Sequence, residues 1–181
     1  MPSNDSLGLS IRPLGAGEIV TDAEKLELHT SYANMWAEEV RQKTITLLAA
    51  FTLNADFLGR LAIVWRAPDE PEIAQYLPGV PTIMAAYVSE KNRSQGVGTQ
   101  LMLAAEKIVL DHGRSQLALG VEVKNLRGIT FYERLGYKQW HRGDITISWT
   151  EHNGTDEKIV NETCHVMVKD ISNEGNHEKI S

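Results

Sequence analysis

The chain has 181 residues, 42% of them hydrophobic, with a formal net charge of −6 and a single cysteine. That is enough for one domain with a buried core; the acidic balance argues against a nucleic-acid binder, and one cysteine excludes an internal disulfide and most zinc frameworks. No apolar run approaches the roughly 18 residues that span a bilayer, and the opening MPSNDSLGLS lacks a basic-then-apolar leader, so a soluble, cytoplasmic protein without membrane contact is expected.

LSIRPLGAGE alternates apolar and polar residues and reads as a first strand stopped at Pro13, which withdraws a donor. From Asp22 to Gln42, Leu26, Tyr32, Met35, Trp36 and Val40 recur at helical intervals, with Thr21 and Glu24 as a capping box, and the helix is expected to flank a substrate cleft. TITLLAAFTL and RLAIVWRA, separated by NADFLG, predict a β-hairpin. Residues 67–81 hold four of the six prolines and three acids, which predicts a loop or short irregular insertion. TIMAAYV (82–88) is apolar throughout, as in a central strand covered on both faces.

Next come the turn RSQGVG (93–98) and a helix in which Leu101, Ala105 and Ile108 share a face, with Gly113 as its stop. SQLALGVEV predicts a buried strand, and LRGITFYERLGY a short helix closed by Gly136. DITISWTEH and CHVMVKD straddle a polar segment containing Asn153-Gly154 and predict a terminal hairpin. One domain over 1–170 is expected, with a disordered tail over 171–181.

Two glycines at the mouth of a helix let an anion approach unpaired N–H groups in a positive field, although G-x-G there also serves as a plain packing turn. A P-loop is excluded because Thr99 and Gln100, not a lysine beside Ser/Thr, follow Gly98. A dinucleotide fingerprint needs a third small residue where Leu101 stands.

YVSEKNRSQGVGTQLM resembles the acyl-CoA signature of the GCN5-related N-acetyltransferase (GNAT) superfamily: Arg or Gln, two residues, Gly, one residue, then Gly or Ala after a fourth strand. NLRGITFYERLGY resembles the second signature of that superfamily. The resemblance implies an α/β domain of the α+β type, its mixed and mostly antiparallel central sheet splayed between the fourth and fifth strands and flanked by helices. It also implies acetyl-CoA as acyl-donor cosubstrate, with no metal.

Residue by residue, the resemblance places the CoA pyrophosphate on the N–H groups of Gln95, Gly96, Val97, Gly98 and Thr99, with Ser94 in the same turn. Arg93 either neutralises phosphate charge or is a solvated arginine. The backbone of Tyr87 and Val88 maps to the pantetheine-pairing strand, their side chains being core, and N–H groups over 87–89 would polarise the thioester carbonyl. Asn125 and Tyr132 fall on the two polar positions that face the cofactor. Asn125 also suits a helix N-cap, and Tyr132 is the candidate acid for the departing thiolate, or else a half-buried helix tyrosine. Two departures stand out: Ser89 replaces a common proline, which loosens the loop, and Gly128 replaces a usual alanine, which weakens the helix by about 1 kcal/mol.

A lysine-like ammonium lies about 3.4 units from neutral at pH 7, so freeing its lone pair costs about 4.6 kcal/mol. Many relatives place a glutamate on the fourth or fifth strand for this; here the fourth strand has no acid and the matching fifth-strand position is Gly120. Glu122 is the nearest substitute, followed by Glu90, His112 and His141, and each is also readable as a surface residue. A water relay or an acceptor of low pKa is therefore expected. Cys164 has no nucleophile signature, so direct transfer without an acyl-enzyme is expected.

The expected acceptor is a primary amine of a small molecule. Glu24, Glu27, Glu38, Glu39, Asp69, Glu70 and Glu72 either line its cleft or form solvated faces. A protein or peptide N-acetyltransferase and a non-catalytic acyl-CoA-binding module are the alternatives. The C-terminal hairpin offers an edge on which a homodimer could form.

Overall fold

Leu47, Leu48, Ala49 and Ala50 are all completely buried, as follows for a strand with apolar residues on both faces. They lie in β2, and the computed structural model describes residues 8–153 and 156–172 around them. In chain order the elements are β1 (Leu9–Pro13), α1 (Ala16–Thr21), α2 (Thr30–Arg41), β2 (Ile45–Thr52), β3 (Phe57–Val64), α3 (Pro71–Tyr76), β4 (Thr82–Val88) and a 3-10 turn (Glu90–Asn92). There follow α4 (Val97–Asp111), β5 (Gln116–Glu122), α5 (Leu126–Arg134), β6 (Lys138–Gln139), β7 (Ile145–Asn153) and β8 (Asp156–Asp170). The strands run in the order β1-β2-β3-β4-β5-β8-β6, with β7 also on β8, and β4 pairs with β5 in parallel. The fold is a single α/β domain with a mixed, open sheet flanked by helices, and no helix among the described residues is long and apolar enough to cross a membrane.

Contacts divide the chain into two compact units that share β4 and α4: the described residues of Met1–Trp65 with Met84–Ala105, and those of Arg66–Ile83 with Glu106–Ser181. In the first, β1 and β3 flank β2 antiparallel, and Leu14, Ile19, Leu26, Ala33, Trp36 and Ala37 cover the sheet. In the second, β8 pairs antiparallel with β5 along one edge through Cys164–Asp170, and with β7 and β6 along the other. Ile73, Ile145, Cys164 and Val166 form its apolar centre.

The continuous helix expected over 22–42 is interrupted. Thr21 ends α1 instead of capping a helix, its hydroxyl donating to the Glu18 carbonyl, and the cap of α2 is His29, whose Nδ1 accepts from the Ser31 N–H at 3.3 Å. Between the helices, Leu28 N–H donates to Ala23 O and Glu27 N–H to Glu24 O. These are the 6→1 and 5→2 bonds of a Schellman closure, with Glu27 in the left-handed region at φ 53°. The same pair of bonds ends α2 (Thr44 to Glu39, Lys43 to Val40) with Lys43 at φ 58°, and ends α4 and α5 at Gly113 and Gly136. Glycine marked the last two in the sequence; Glu27 and Lys43 gave no such signal.

Other boundaries shift for similar local reasons. The β2–β3 turn is shorter than expected, with Ala55 at φ 65°, so β3 begins at Phe57. The Pro-rich insertion contains α3, which Pro71 opens at its first turn. The polar stretch before Cys164 is strand: β8 starts at Asp156 and pairs with β7 from Asn153↔Asp156 onward, while Gly154 lies outside the described residues. β4 is not covered on both faces along its whole length, since Ala85 and Ala86 are exposed. Ile171, placed in the tail by sequence, is 1% exposed and donates its N–H to Ser115 O; residues 173–181 lie outside the described residues.

Candidate active site

Pairing of β4 with β5 runs over Thr82↔Ala118 and Ile83↔Leu119, and two residues later Ala85 adopts φ 53°. From Met84 onward β4 belongs to the first unit. There Gly59 of β3 permits a close approach: a Cβ on it would lie 2.6 Å from Tyr87 O and 3.2 Å from Val88 Cα. Sequence reading passed over Gly59, although a lone glycine inside an apolar strand is itself a sign of close backbone approach.

Ser89 is 2% exposed and has φ −56°, within the range of the proline it replaces. It does not loosen the loop. Its N–H donates to Leu58 O at 3.0 Å and its Oγ accepts from Asn92 Nδ2 at 2.6 Å, fastening the turn to β3. That N–H is thus engaged and cannot be a thioester donor, which leaves Tyr87 and Val88 of the expected three.

The glycine turn is exposed over 93–96 and takes two left-handed residues, Ser94 at φ 63° and Gly96 at φ 83°. The Gln95 side-chain amide donates to Lys91 O at 3.0 Å, bracing the turn from behind. Gln100 N–H donates to Gly96 O at 3.0 Å, so the N–H groups of Val97, Gly98 and Thr99 precede the first bond of α4, where the helix field is positive. Arg93 is anchored through Nε to Val88 O at 3.2 Å. This cradle suits a diphosphate by its main-chain donors at an exposed turn.

The Tyr87 side chain is more than core. Its hydroxyl donates to the Glu27 carboxylate, and the Arg60 guanidinium lies 4.6 Å from its ring centroid and 5.9 Å from that of Trp36. Arg60 Nε and Nη1 are buried without a hydrogen-bond partner. The bond to Glu27 holds the Tyr87 phenol above its ordinary range, and burial holds Arg60 below its own. Arg60 carried no sequence signal.

In the second unit, Asn125 caps α5, its Oδ1 accepting from Gly128 N–H at 2.9 Å. A Cβ at 128 would stand 2.6 Å from Asn125 Nδ2, so the glycine makes room for the cap as well as weakening the helix. Tyr132 packs edge-on against Phe131 and Tyr137, with centroids at 5.1 and 6.1 Å, and burial raises its phenol above the ordinary value.

Glu122 ends β5 opposite Cys164, near Glu162, whose carboxyl is raised first by desolvation and then by the Glu122 charge. The Cys164 thiol is 4% exposed and pushed up to about 11 by desolvation and by Glu162, Glu122, Glu70 and Asp144, the opposite of an activated nucleophile. Of the remaining base candidates, Glu90 and His141 are exposed, and His112 places Nδ1 2.8 Å from Ile108 O at the end of α4. At Gly120 a Cβ would overlap Cδ1 of Ile147, so the space of the expected fifth-strand carboxylate is occupied by β7.

A mixed, open sheet whose fourth strand runs into a glycine turn and a helix is the architecture of acetyl-CoA-dependent acetyltransferases of the GNAT type. Residues 59–137 of the chain match the acetyltransferase (GNAT) family. It is 37% identical over 59 residues to N-alpha-acetyltransferase 30 of Schizosaccharomyces pombe, a span of 33% of this chain and 39% of that protein. Its fold is similar to PaiA N-acetyltransferase from Thermoplasma acidophilum in complex with coenzyme A (TM-score 0.58, 19% identity, 90% of this chain and 98% of that one). It is also similar to mutant forms of the spermidine/spermine N-acetyltransferase SpeG from Vibrio cholerae (TM-score 0.66, 12% identity, 94% and 99%).

Proposed function

We propose that the chain transfers the acetyl group of acetyl-CoA directly to a primary amine of a small molecule. The observation that carries this reading is the exposed Ser94–Gly96 turn, which delivers the free first-turn N–H groups of α4 inside the family-matched segment. In this reading the N–H groups over 95–99 bind the pyrophosphate, with Arg93 adding positive charge. Backbone N–H groups of Tyr87 and Val88 polarise the carbonyl under attack, and Tyr132 protonates the departing sulfur. Its raised phenol supports that role, since it keeps its proton throughout the neutral range. Asn125 fixes the helix that carries Tyr132. The same reading puts the protein in the cytoplasm and leaves the hairpin edge for a homodimer.

A peptide N-terminus is the second reading, favoured by the likeness to N-alpha-acetyltransferase 30. One experiment tests both: calorimetry with CoA, followed by thiol release from acetyl-CoA over a panel of alkylamines, arylamines, polyamines and short peptides. CoA binding with turnover of small amines supports the proposal. Turnover of peptides alone selects the second reading, and tight binding without turnover selects an acyl-CoA-binding module.

A further inference from the structure

If acetyl transfer to an amine is the reaction, a group must take the ammonium proton; Glu122 at the end of β5 is one candidate acceptor, and the Gly120 position and β4 offer none. β4 has no acid, and at Gly120 of β5 the side-chain direction is filled by Ile147.

The first unit holds another arrangement. Glu27 and Lys43 are both non-glycine residues in the left-handed C′ position of a Schellman closure, a conformation that costs about 1 kcal/mol or more. Lys43 is exposed. Glu27 is exposed too, but between buried Leu26 and Leu28 its side chain reaches across to the hydroxyl of Tyr87. Strain held at a residue whose side chain makes a specific long-range bond points to a use for that bond.

We propose that Tyr87 and Glu27 form the proton-accepting pair for the acceptor amine. Tyr87 Oη, having given its hydrogen to Glu27, keeps lone pairs that can accept an ammonium N–H. As the N–H bond breaks, that proton joins Tyr87 Oη, the original phenolic hydrogen passes to the Glu27 carboxylate, and the nitrogen lone pair is freed to attack. The charged groups facing Tyr87 are Glu27 from the turn after α1, Arg60 from β3 and Arg93 from the loop after β4. Arg60 offers its positive charge to the ring without competing for the hydroxyl, since its buried donors bond nothing. The placement also fits the main chain: the N–H of Tyr87 itself is one of the two remaining candidates for polarising the thioester.

The test compares wild type, Glu27→Gln, Tyr87→Phe and the double variant, with an alkylamine and with an arylamine that is already neutral at pH 7. Thiol release is followed from pH 6.5 to 9.5, with CoA affinity measured by calorimetry as the control for folding. With the alkylamine each variant should lose about 100-fold in kcat at pH 7 and recover about tenfold per pH unit, and the double variant should lose no more than either single one. With the arylamine the variants should stay within about twofold of wild type, and CoA affinity should not change. Equal losses with both amines, or no loss with the alkylamine, overturn the proton-accepting pair while leaving acetyl transfer intact. A wild-type protein that neither binds CoA nor releases thiol overturns the transfer reading and the pair together.

Discussion

Lys169 Nζ donates to Glu106 Oε2 at 2.9 Å with both side chains withdrawn from water, and the buried Tyr137 hydroxyl donates to Glu106 Oε1 at 3.0 Å. Breaking a buried pair from one side strands a charge. Glu106→Gln or Lys169→Met alone should therefore lower unfolding stability by about 3–5 kcal/mol in urea titrations, whereas an apolar replacement of both should recover much of the loss. Tyr137→Phe should cost about 1–2 kcal/mol.

Gly59 and Gly120 differ in what a methyl group would meet. At Gly59 the obstacles are Tyr87 O and Val88 Cα, both main chain, so Gly59→Ala must displace β4. It should cost about 3 kcal/mol and weaken CoA binding measurably by calorimetry. At Gly120 the nearest atom is the terminal methyl of Ile147, which can rotate away, so Gly120→Ala should cost under about 1.5 kcal/mol and leave CoA affinity as it is.

Lys43→Gly relieves a left-handed conformation at an exposed helix end and should raise stability by about 1 kcal/mol, read as a shift of the urea midpoint at constant slope.

Cys164, its thiol pushed up to about 11, should react with a disulfide reagent at pH 8 only as fast as the protein opens, because roughly one thiol in a thousand is ionised there. The fold holds this proton more tightly than the unfolded chain does. Stability should therefore fall as pH rises from about 9 through about 11, and Cys164→Ala should flatten that part of the curve.

Tyr132→Phe removes the proposed acid but keeps the ring contacts with Phe131 and Tyr137. It should lower kcat by about 100-fold with unchanged CoA affinity. The alkaline limb of the wild-type profile should lie above the ordinary tyrosine range, in line with the raised phenol, and should vanish in the variant.

Much of the fold was legible from local patterns. Apolar strand runs, Gly113 and Gly136 after their helices, and the RSQGVG turn are each fixed by residues close in sequence, so β2, β4, α4, β5 and α5 fall where those patterns put them. The helix break at Glu27 was not legible, because the left-handed residue there is a glutamate that tertiary contacts hold in place. The polar half of β8 was missed for a related reason: Asp156–Thr163 becomes strand through pairing with β7, not through its own apolar content.

By itself, then, the sequence determined the family match over residues 59–137, the glycine turn, the capped helix of Tyr132 and the lack of an acid on β4, all of which reside in neighbouring residues or in side-chain identity. Only the tertiary structure decided that Ser89 fastens its loop, that Ile147 fills the space beside Gly120, and that Glu27, Arg60 and Tyr87 meet. The physical reason is separation along the chain: Glu27 and Tyr87 stand 60 positions apart. A hydrogen bond over that distance depends on the packing of the turn after α1 against β4, which no local spacing encodes.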